Sequence, residues 1–346
     1  MFNFNKVICI GSLGKDVFFS VSEGKILKTP QDILSQEKIA FELGAKYKIK
    51  SYQESVGGCA ANVSQGLSKL GIQSACCSVI GNDDTGQWLI KELKKNKVKL
   101  NNIKAIKKIS SDISIIVVDD KTHDHVIFYN RQANEHLKIV SKDLKKYNWI
   151  FIGSLNGNWT NNLDKIIEVV KKDKRKKIAF NPGQGNIKEN PQKIIRMLKF
   201  TEVLLVNKDE AIEIVMHMNN IQKEDLRKIS FLLKKISQKG VKQVIITEGK
   251  KGVNYYKTGD LCYYKVINTE KNNLVIDTTG AGDSFNSGFL AGTIKGKNFK
   301  NNLYWGMANS ESVIQYYGAQ KGLLNSSAIK RKSLKNKYQI KEIKLK

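Results

Sequence analysis

Residues Leu274 to Gly292 read LVIDTTGAGDSFNSGFLAG. The apolar run Leu274-Val275-Ile276 has the character of a buried strand end. Asp277, Thr278 and Thr279 follow, and then Gly280-Ala281-Gly282-Asp283. From Asp283 the pattern turns helical, with Phe285, Phe289 and Leu290 on one side. Gly288 and Gly292 leave that helix a slim flank for a close neighbour. Gly280 and Gly282, with Ala281 between them, let the chain turn sharply and leave amide N–H groups bare. A helix start concentrates unpaired donors and partial positive charge, which makes it an anion site. Asp283, at the first helical position, then stands beside the anion. Amides that hold charge on a moving phosphoryl group, next to a carboxylate that accepts a hydroxyl proton, suit phosphoryl transfer. The plain alternative is a good N-cap after a glycine turn.

Outward from this stretch, strand ends keep meeting glycines and polar groups. KVICIG, residues 6–11, reads as a buried first strand, and Asp16 follows in GSLGKDVFF. Open α/β sheets place ligands just beyond such a strand end, although Asp16 taken alone is simply a turn residue. GSLGK lacks the P-loop spacing. In VGGCAANVSQGLSKLG, residues 56–71, Gly57-Gly58 permit close approach to a ligand. A helix follows with Ala60, Val63, Leu67 and Leu70 on one face, closed by Gly71. Asn62, in its first turn, can donate to and accept from a sugar hydroxyl. SACCSVIG reads as a strand, and GNDDTGQWLIKELKKNKV as a turn and helix. From about residue 147, WIFIGS, KIAFNPG, EVLLVN and QVIITEG are four short apolar strands separated by helix-length polar segments. That alternation predicts a mostly parallel sheet with helices on both faces. Asn181, Asn207, Glu210, Thr247, Gly249 and Gly252 follow these strands and are expected along one sheet edge. Residues 17–54 and 112–131 carry short strands and no long helix, so a small β lid is expected. Within it, residues 112–118 and 125–129 are expected to pair antiparallel around a polar turn at 119–124.

DTTGAGD after an apolar run resembles the C-terminal signature of the ribokinase-like, or pfkB carbohydrate kinase, family. Gly57-Gly58 followed by Asn62 resembles its N-terminal signature. GNDDTG at 81–86 resembles its G-x-D-x-x-G block, NKDE at 207–210 its N-x-x-E motif, and TEGKKG at 247–252 its T-x-G-x-x-G nucleotide loop. WGMANSESVIQYYGAQKG resembles its closing segment and reads as a helix ending at Gly318. The motifs stand in family order over about residues 6–324. The resemblance implies a ribokinase-like α/β/α sandwich with a mostly parallel central sheet and a β lid. One kinase domain would span residues 1–325, with a peripheral basic tail at 326–346. It implies ATP with Mg²⁺ as phosphoryl donor and a hydroxyl of a small sugar, polyol or nucleoside as acceptor. Carried over by motif, Asp283 is the base, and Gly280, Ala281 and Gly282 form the anion hole. Asp16, Gly57, Gly58 and Asn62 hold the acceptor, with Arg131 in FYNRQAN as a further contact. Asn207, Thr247, Gly249 and Gly252 line ATP, and Glu210 positions Mg²⁺ through water. Asp277 and Thr279, with the Gly318 loop, are candidates for K⁺. Lid strands pair between subunits in some members, so a homodimer through the lid is a candidate assembly. Two positions depart from the pattern. Cys59 stands where ribokinases carry lysine, which argues against ribose, and Asn181 stands where many members have Asp before Pro. The leading reading is an ATP-dependent sugar kinase. A nucleoside kinase of the adenosine or inosine–guanosine type would use the same residues.

The net charge is +27, from 59 Lys and Arg against 32 Asp and Glu. Such a balance raises the question of nucleic acid. Arginine, however, occurs only at 131, 175, 196, 227 and 331. The lysines are spread along the chain, without the interleaved aromatics of an RNA-binding sheet. The charge is read as a solvated surface that also draws anionic substrates such as ATP. No specific nucleic acid is expected, and a non-catalytic nucleic-acid binder on a kinase fold is the competing class. A Rossmann dehydrogenase fits worse, because GAGDSF lacks the third glycine and lies far from the first strand. No apolar run approaches the ~18 residues of a membrane span. MFNFNKVICIG enters a strand directly, so no signal peptide is expected. The five cysteines, 9, 59, 76, 77 and 262, are odd in number, lack a C-x-x-C and fit reduced thiols in the cytoplasm. His123 and His125 flank Asp124, a metal cluster on paper that reads better as a solvated turn.

Overall fold

Strands too apolar to face water on either side build the middle of the molecule. The computed structural model describes residues 6–29, 37–49, 52–120, 125–219, 221–269, 274–333 and 338–345. The turn carrying His123 and Asp124 lies outside the described residues. In chain order the first half holds β1 (Lys6–Ile10), β2 (Gly14–Val21), β3 (Lys25–Lys28), β4 (Glu37–Ala40), β5 (Tyr52–Gly57), α1 (Cys59–Lys69), β6 (Gln73–Gly81), α2 (Asp84–Lys95), β7 (Lys99–Ile106), β8 (Asp112–Asp119), β9 (His125–Asn130), α3 (Ser141–Leu144) and β10 (Trp149–Ile152). The second half holds α4 (Trp159–Lys172), β11 (Lys177–Phe180), α5 (Gln184–Glu189), α6 (Pro191–Leu198), β12 (Val203–Asn207), α7 (Lys208–Met216), α8 (Ile229–Ser237), β13 (Gln243–Thr247), β14 (Val253–Lys257), β15 (Cys262–Asn268), α9 (Ala281–Ile294), α10 (Phe299–Val313), α11 (Ser326–Ser333) and β16 (Tyr338–Lys344).

The main sheet has ten strands in the order β16-β15-β14-β13-β12-β11-β10-β1-β6-β7. From β7 to β13 the pairing is parallel, and β14, β15 and β16 close the far side antiparallel. Side chains alternate between the two faces, as strand geometry requires. Ile8, Ile10, Ile150, Ile152 and Phe180 pack on one side with Trp159, Leu163 and Leu233 from the helices. Val7, Cys9 and Phe151 pack on the other with Leu67, Leu89, Phe289 and Leu303. The α/β layering read from the sequence is therefore present. The two glycines of α9 do what their spacing suggested. A methyl on Gly288 would strike the Trp305 carbonyl, and one on Gly292 would strike Asn302, so α9 and α10 lie backbone to backbone.

Three expectations are corrected. Leu274-Val275-Ile276 is not a buried strand end. It is a loop, with Leu274 66% and Val275 39% exposed, fastened by the Ile276 amide to the Ile314 carbonyl. The helix of the closing segment stops at Val313, short of Gly318, because the Ile314 carbonyl and the Gly318 amide are both drawn to the 276–277 loop. The tail expected to be peripheral packs on the body over its described residues, 326–333 and 338–345. α11 buries Ile329, and β16 pairs with β15 along its length while burying Tyr338. The tail covers what would otherwise be an open sheet edge.

The lid is a four-stranded sheet, β5-β2-β8-β9, with β3 and β4 as a separate hairpin. β8 and β9 pair antiparallel, as expected. Gly14 is paired with both Gly57 and Asp112 where the lid meets the body. Fully buried Asp112 accepts from the amides of Ala133 and Asn134 and from Asn134 Nδ2, which also donates to the Leu13 carbonyl. The lid is thus pinned at its base. Among the described residues, no helix is long and apolar enough to cross a membrane.

Candidate active site

Parallel strands deliver their C-terminal ends to one edge, and the site assembles there. α1 begins at Cys59, directly after Gly58, whose φ of 95° brings its α-carbon against the Ser12 carbonyl with no room for a β-carbon. That start aims Asn62 across to α9. Asn62 Nδ2 donates to Asp283 Oδ2 at 2.9 Å, and Asn62 Oδ1 accepts from Gln320 Nε2 at 2.9 Å. Asn62, expected to hold the acceptor, has its amide engaged by protein groups at both ends. Asp283 is the third residue of α9, not the first, because the helix already begins at Ala281. Gly280 is left-handed, φ 73°, and packs on Ala319, while no atom lies within 4 Å of where a Gly282 side chain would start. Among the described residues, no side chain caps α9, and nothing accepts from the amides of Gly282 or Asp283, so the helix start keeps two unpaired donors. Burial pushes the Asp283 carboxyl up to about 6, against the opposing bond from Asn62.

Asp16 is not a turn residue. It is the third residue of β2, buried, paired across to Ser55 and Ser114. Its carboxylate lies directly over Gly57, where any β-carbon would overlap it. Burial lifts Asp16 to about 6, opposed by a Ser114 hydrogen bond and the Arg131 charge, and reinforced by Asp277 and Asp283. Arg131, just past β9, lies over the Tyr129 ring, 5.1 Å from its centre. The three acids and Arg131 thus share one neighbourhood.

Asp277 ties two loops together. Its carboxylate accepts from the Thr279 amide at 2.9 Å and from the Gly318 amide at 2.9 Å. Thr279 Oγ1 beside it is buried without a partner among the described residues.

Asn207 and Thr247 are register partners at the ends of β12 and β13. Asn207 caps α7, accepting from the Glu210 amide at 2.8 Å, and Glu210 Oε2 accepts from the Asn207 amide at 2.9 Å. This reciprocal capping box is the plain account of N-x-x-E. Burial lifts Glu210 to about 7, and the Asp283 charge adds to that. Gly249 and Gly252 have φ of 55° and 95° in a tight turn closed by the Glu248 amide on the Gly252 carbonyl. Glu248 is buried, which would raise its carboxyl, but Asn254, Lys265 and Lys208 outweigh that and hold it low.

The two departures also have local accounts. Cys59 Sγ lies 3.4 Å from Ser12 Oγ and 3.6 Å from the Ser154 carbonyl, and methyls on Gly11 or Gly153 would crowd it. Asn181 donates to the Leu205 carbonyl and accepts from Asn286, so it uses both ends of an amide where Asp has no donor. All five cysteines are free. Sequence reasoning missed Gln320, Ser114 and Glu248. Ser114 is found only through strand register, and Gln320 only once the closing segment is known to fold back onto Asn62.

A layered α/β core, a β lid over its C-terminal edge and a carboxylate beside a helix start suit a small-molecule kinase of the sugar and nucleoside class. Comparison with known proteins agrees. Residues 32–325 match the pfkB family carbohydrate kinase, and the chain belongs to that family. It is 26% identical to an ATP-dependent 6-phosphofructokinase of Thermoanaerobacterium thermosaccharolyticum, over 95% of this chain and 97% of that one. It is 25% identical to a nucleoside kinase of Methanocaldococcus jannaschii, over 92% and 93% of the two chains. Among solved structures, Arabidopsis thaliana ribokinase complexed with ribose and ATP superposes with a TM-score of 0.75 at 19% identity, covering 95% of this chain and 98% of that one. Cryptococcus neoformans ribokinase in complex with ADP gives 0.73 at 20%, covering 94% and 99%. These structures share the ribokinase-like fold.

Proposed function

We propose that this protein transfers the γ-phosphoryl group of ATP to a hydroxyl of a small sugar, or of the sugar ring of a nucleoside. The observation that carries this reading is Asp283, an Asn62-held carboxylate whose own amide and that of Gly282 are the unpaired donors of the helix start. The acceptor hydroxyl lies against Asp283, which takes its proton as the oxygen attacks the γ-phosphorus. The bond from phosphorus to the β,γ-bridging oxygen breaks, and ADP leaves with that electron pair. The amides of Gly282 and Asp283, in the loop Gly280-Ala281-Gly282, hold the charge on the phosphoryl oxygens. Asp16 accepts from the acceptor's other hydroxyls across Gly57 and Gly58. Asn207, Thr247, Gly249 and Gly252 form the nucleotide wall.

Mg²⁺ fits Glu210, a carboxyl raised to about 7 that a cation would return to its ionised form. Among the described residues, no cluster of three or more His, Cys, Asp or Glu could cage a metal, which suits an ion held mainly by water and phosphate. When bound, Mg²⁺ neutralises the β- and γ-phosphates. K⁺ fits Thr279 Oγ1, unpartnered among the described residues and beside Asp277, where it would steady the loop that begins α9. Free thiols fit a reducing compartment such as the cytoplasm. The outer lid face, with Tyr52, Ile115 and Phe128 exposed, is the candidate surface for a second copy.

The test is acceptor-dependent ADP formation with Mg²⁺-ATP, with and without K⁺, across sugars and nucleosides. The expected result is turnover with one acceptor group, lost on Mg²⁺ chelation and raised by K⁺. ATP consumption equal with and without every acceptor would contradict the proposal, as would steeply salt-dependent binding of nucleic acid without turnover.

A further inference from the structure

The lid carries an aromatic side chain that none of the roles above uses. Ser55, Asp16, Ser114 and Tyr129 are register partners across β5, β2, β8 and β9. Directly paired residues project from the same face of a sheet, so Tyr129 stands on the face that presents Asp16. That face turns toward the body. Phe18 and Ile116, two residues along from Asp16 and Ser114, are buried with Val118 against Tyr317 of the closing segment. Tyr129 nevertheless is 68% exposed, and Ile127 on the same face is 43% exposed. Bare apolar surface on a site wall marks where a ligand lies. The Arg131 guanidinium is over the Tyr129 ring, and its charge also acts on Asp16 and Asp112.

Distance and charge narrow the ligand. Neighbouring strands are ~4.8 Å apart, so Tyr129, two strands from Asp16, is roughly 10 Å away. A lone sugar ring held between Asp16 and Asp283 does not span that gap, whereas a sugar bearing a second, flat ring does. The Arg131 charge acts on the carboxyls of Asp16 and Asp112, and the charges of Asp277 and Asp283 act on Asp16. An anionic acceptor would be repelled there. Aromatic rings and guanidinium planes are the usual platforms for nucleobases. We infer that the acceptor is a neutral nucleoside, its base stacked on Tyr129 beside Arg131 and Ile127 while its sugar hydroxyls meet Asp16. The inference rests on the placement of the acceptor sugar at Asp16 in the proposed function.

The experiment is calorimetric binding of adenosine, inosine, uridine, ribose and fructose 6-phosphate to the full chain. It is run on wild type, Tyr129→Ala and Tyr129→Phe, with turnover in Mg²⁺-ATP measured alongside. Nucleosides should bind and turn over better than ribose or fructose 6-phosphate. Tyr129→Ala should weaken nucleoside binding and raise the nucleoside KM by roughly 5- to 100-fold, the span of base–aromatic stacking, with a much smaller change in kcat. Tyr129→Phe, which keeps the ring, should rescue most of the loss. Ribose or fructose 6-phosphate binding more tightly than every nucleoside would overturn the inference, and so would nucleoside affinity indifferent to Tyr129→Ala. Binding is read without turnover, so the two readings fail separately. Nucleosides that bind through Tyr129 but are never phosphorylated would sink the catalytic reading and leave this one standing. Ribose phosphorylated equally by wild type and Tyr129→Ala, with nucleosides ignored, would do the reverse.

Discussion

Gly57→Ala asks directly whether the Asp16 carboxylate positions the acceptor. Gly57 does not have a left-handed backbone, so alanine fits the chain and only its methyl is new. That methyl would stand 2.5 Å from Asp16 Oδ1, and closer still to Oδ2 and Cγ, where ordinary contact begins at 3.4 Å. The carboxylate must therefore retreat by more than 1 Å. It has little room, being buried, bonded to Ser114 and carried on a strand paired on both sides. A misplacement of that size at a positioning group costs on the order of 100-fold in rate, and the overpacking destabilises the fold by roughly 1–3 kcal/mol. The assay is acceptor kcat/KM at saturating ATP, with the ATP KM and the melting temperature measured in parallel. The acceptor term should fall by on the order of 100-fold while the ATP KM holds. In an Asp16→Ala background the same methyl has nothing to displace, so Gly57→Ala should there add no further loss. Unchanged acceptor kcat/KM in Gly57→Ala, or an equal loss with and without the Asp16 carboxylate, would refute the reasoning.

The Asp283 carboxyl, raised to about 6, must be ionised to accept a proton, so kcat/KM should climb through pH 6 and level off above it, and a flat profile from pH 4.5 to 8 would contradict that. Because folding raises this group above its ordinary value of 3.8, its ionisation opposes folding, and the opposition grows as pH rises through about 6. Asp283→Asn should therefore melt higher than wild type above pH 7, by on the order of 2 kcal/mol, with the gap closing below pH 4; a gap independent of pH would speak against the burial account. Asn62→Ala removes the bond that holds the Asp283 carboxyl down, so kcat should fall roughly tenfold and the acidic limb of the pH profile should move upward, and an unmoved limb would show that Asn62 does not position the base. Truncation after Asn325 removes Ile329 and Tyr338 from the core and bares β15, so the product should melt several degrees lower or aggregate; a soluble product with wild-type melting would reverse the assignment of the tail to the core.

The layered sheet was legible because its strands are short apolar runs set apart by helix-length polar segments, a pattern that burial on both faces imposes. DTTGAGD, Gly57-Gly58 with Asn62, and N-x-x-E were legible because each glycine or cap answers a local backbone demand. What escaped notice depends on contacts far apart in the chain. Nothing near Asn62 announces that its amide is held between Asp283 and Gln320, more than two hundred residues away. Leu274-Val275-Ile276 is apolar enough for a strand, yet the Asp277 bonds to Thr279 and Gly318 draw it into a loop. The tail reads as basic and polar because β16 is an edge strand with one face in water, and alternation in a short segment is a weak signal. Tyr129 looked like any strand aromatic until register set it level with Asp16.

The central claim is that Asp283 is the base of a phosphoryl transfer to a hydroxyl. Its most direct test is turnover of Asp283→Asn at saturating Mg²⁺-ATP and the best acceptor, with nucleotide and acceptor affinities measured separately. The account predicts kcat lower by on the order of 10²–10⁴-fold with both affinities largely kept, since asparagine still accepts from Asn62. A kcat equal to wild type would contradict it.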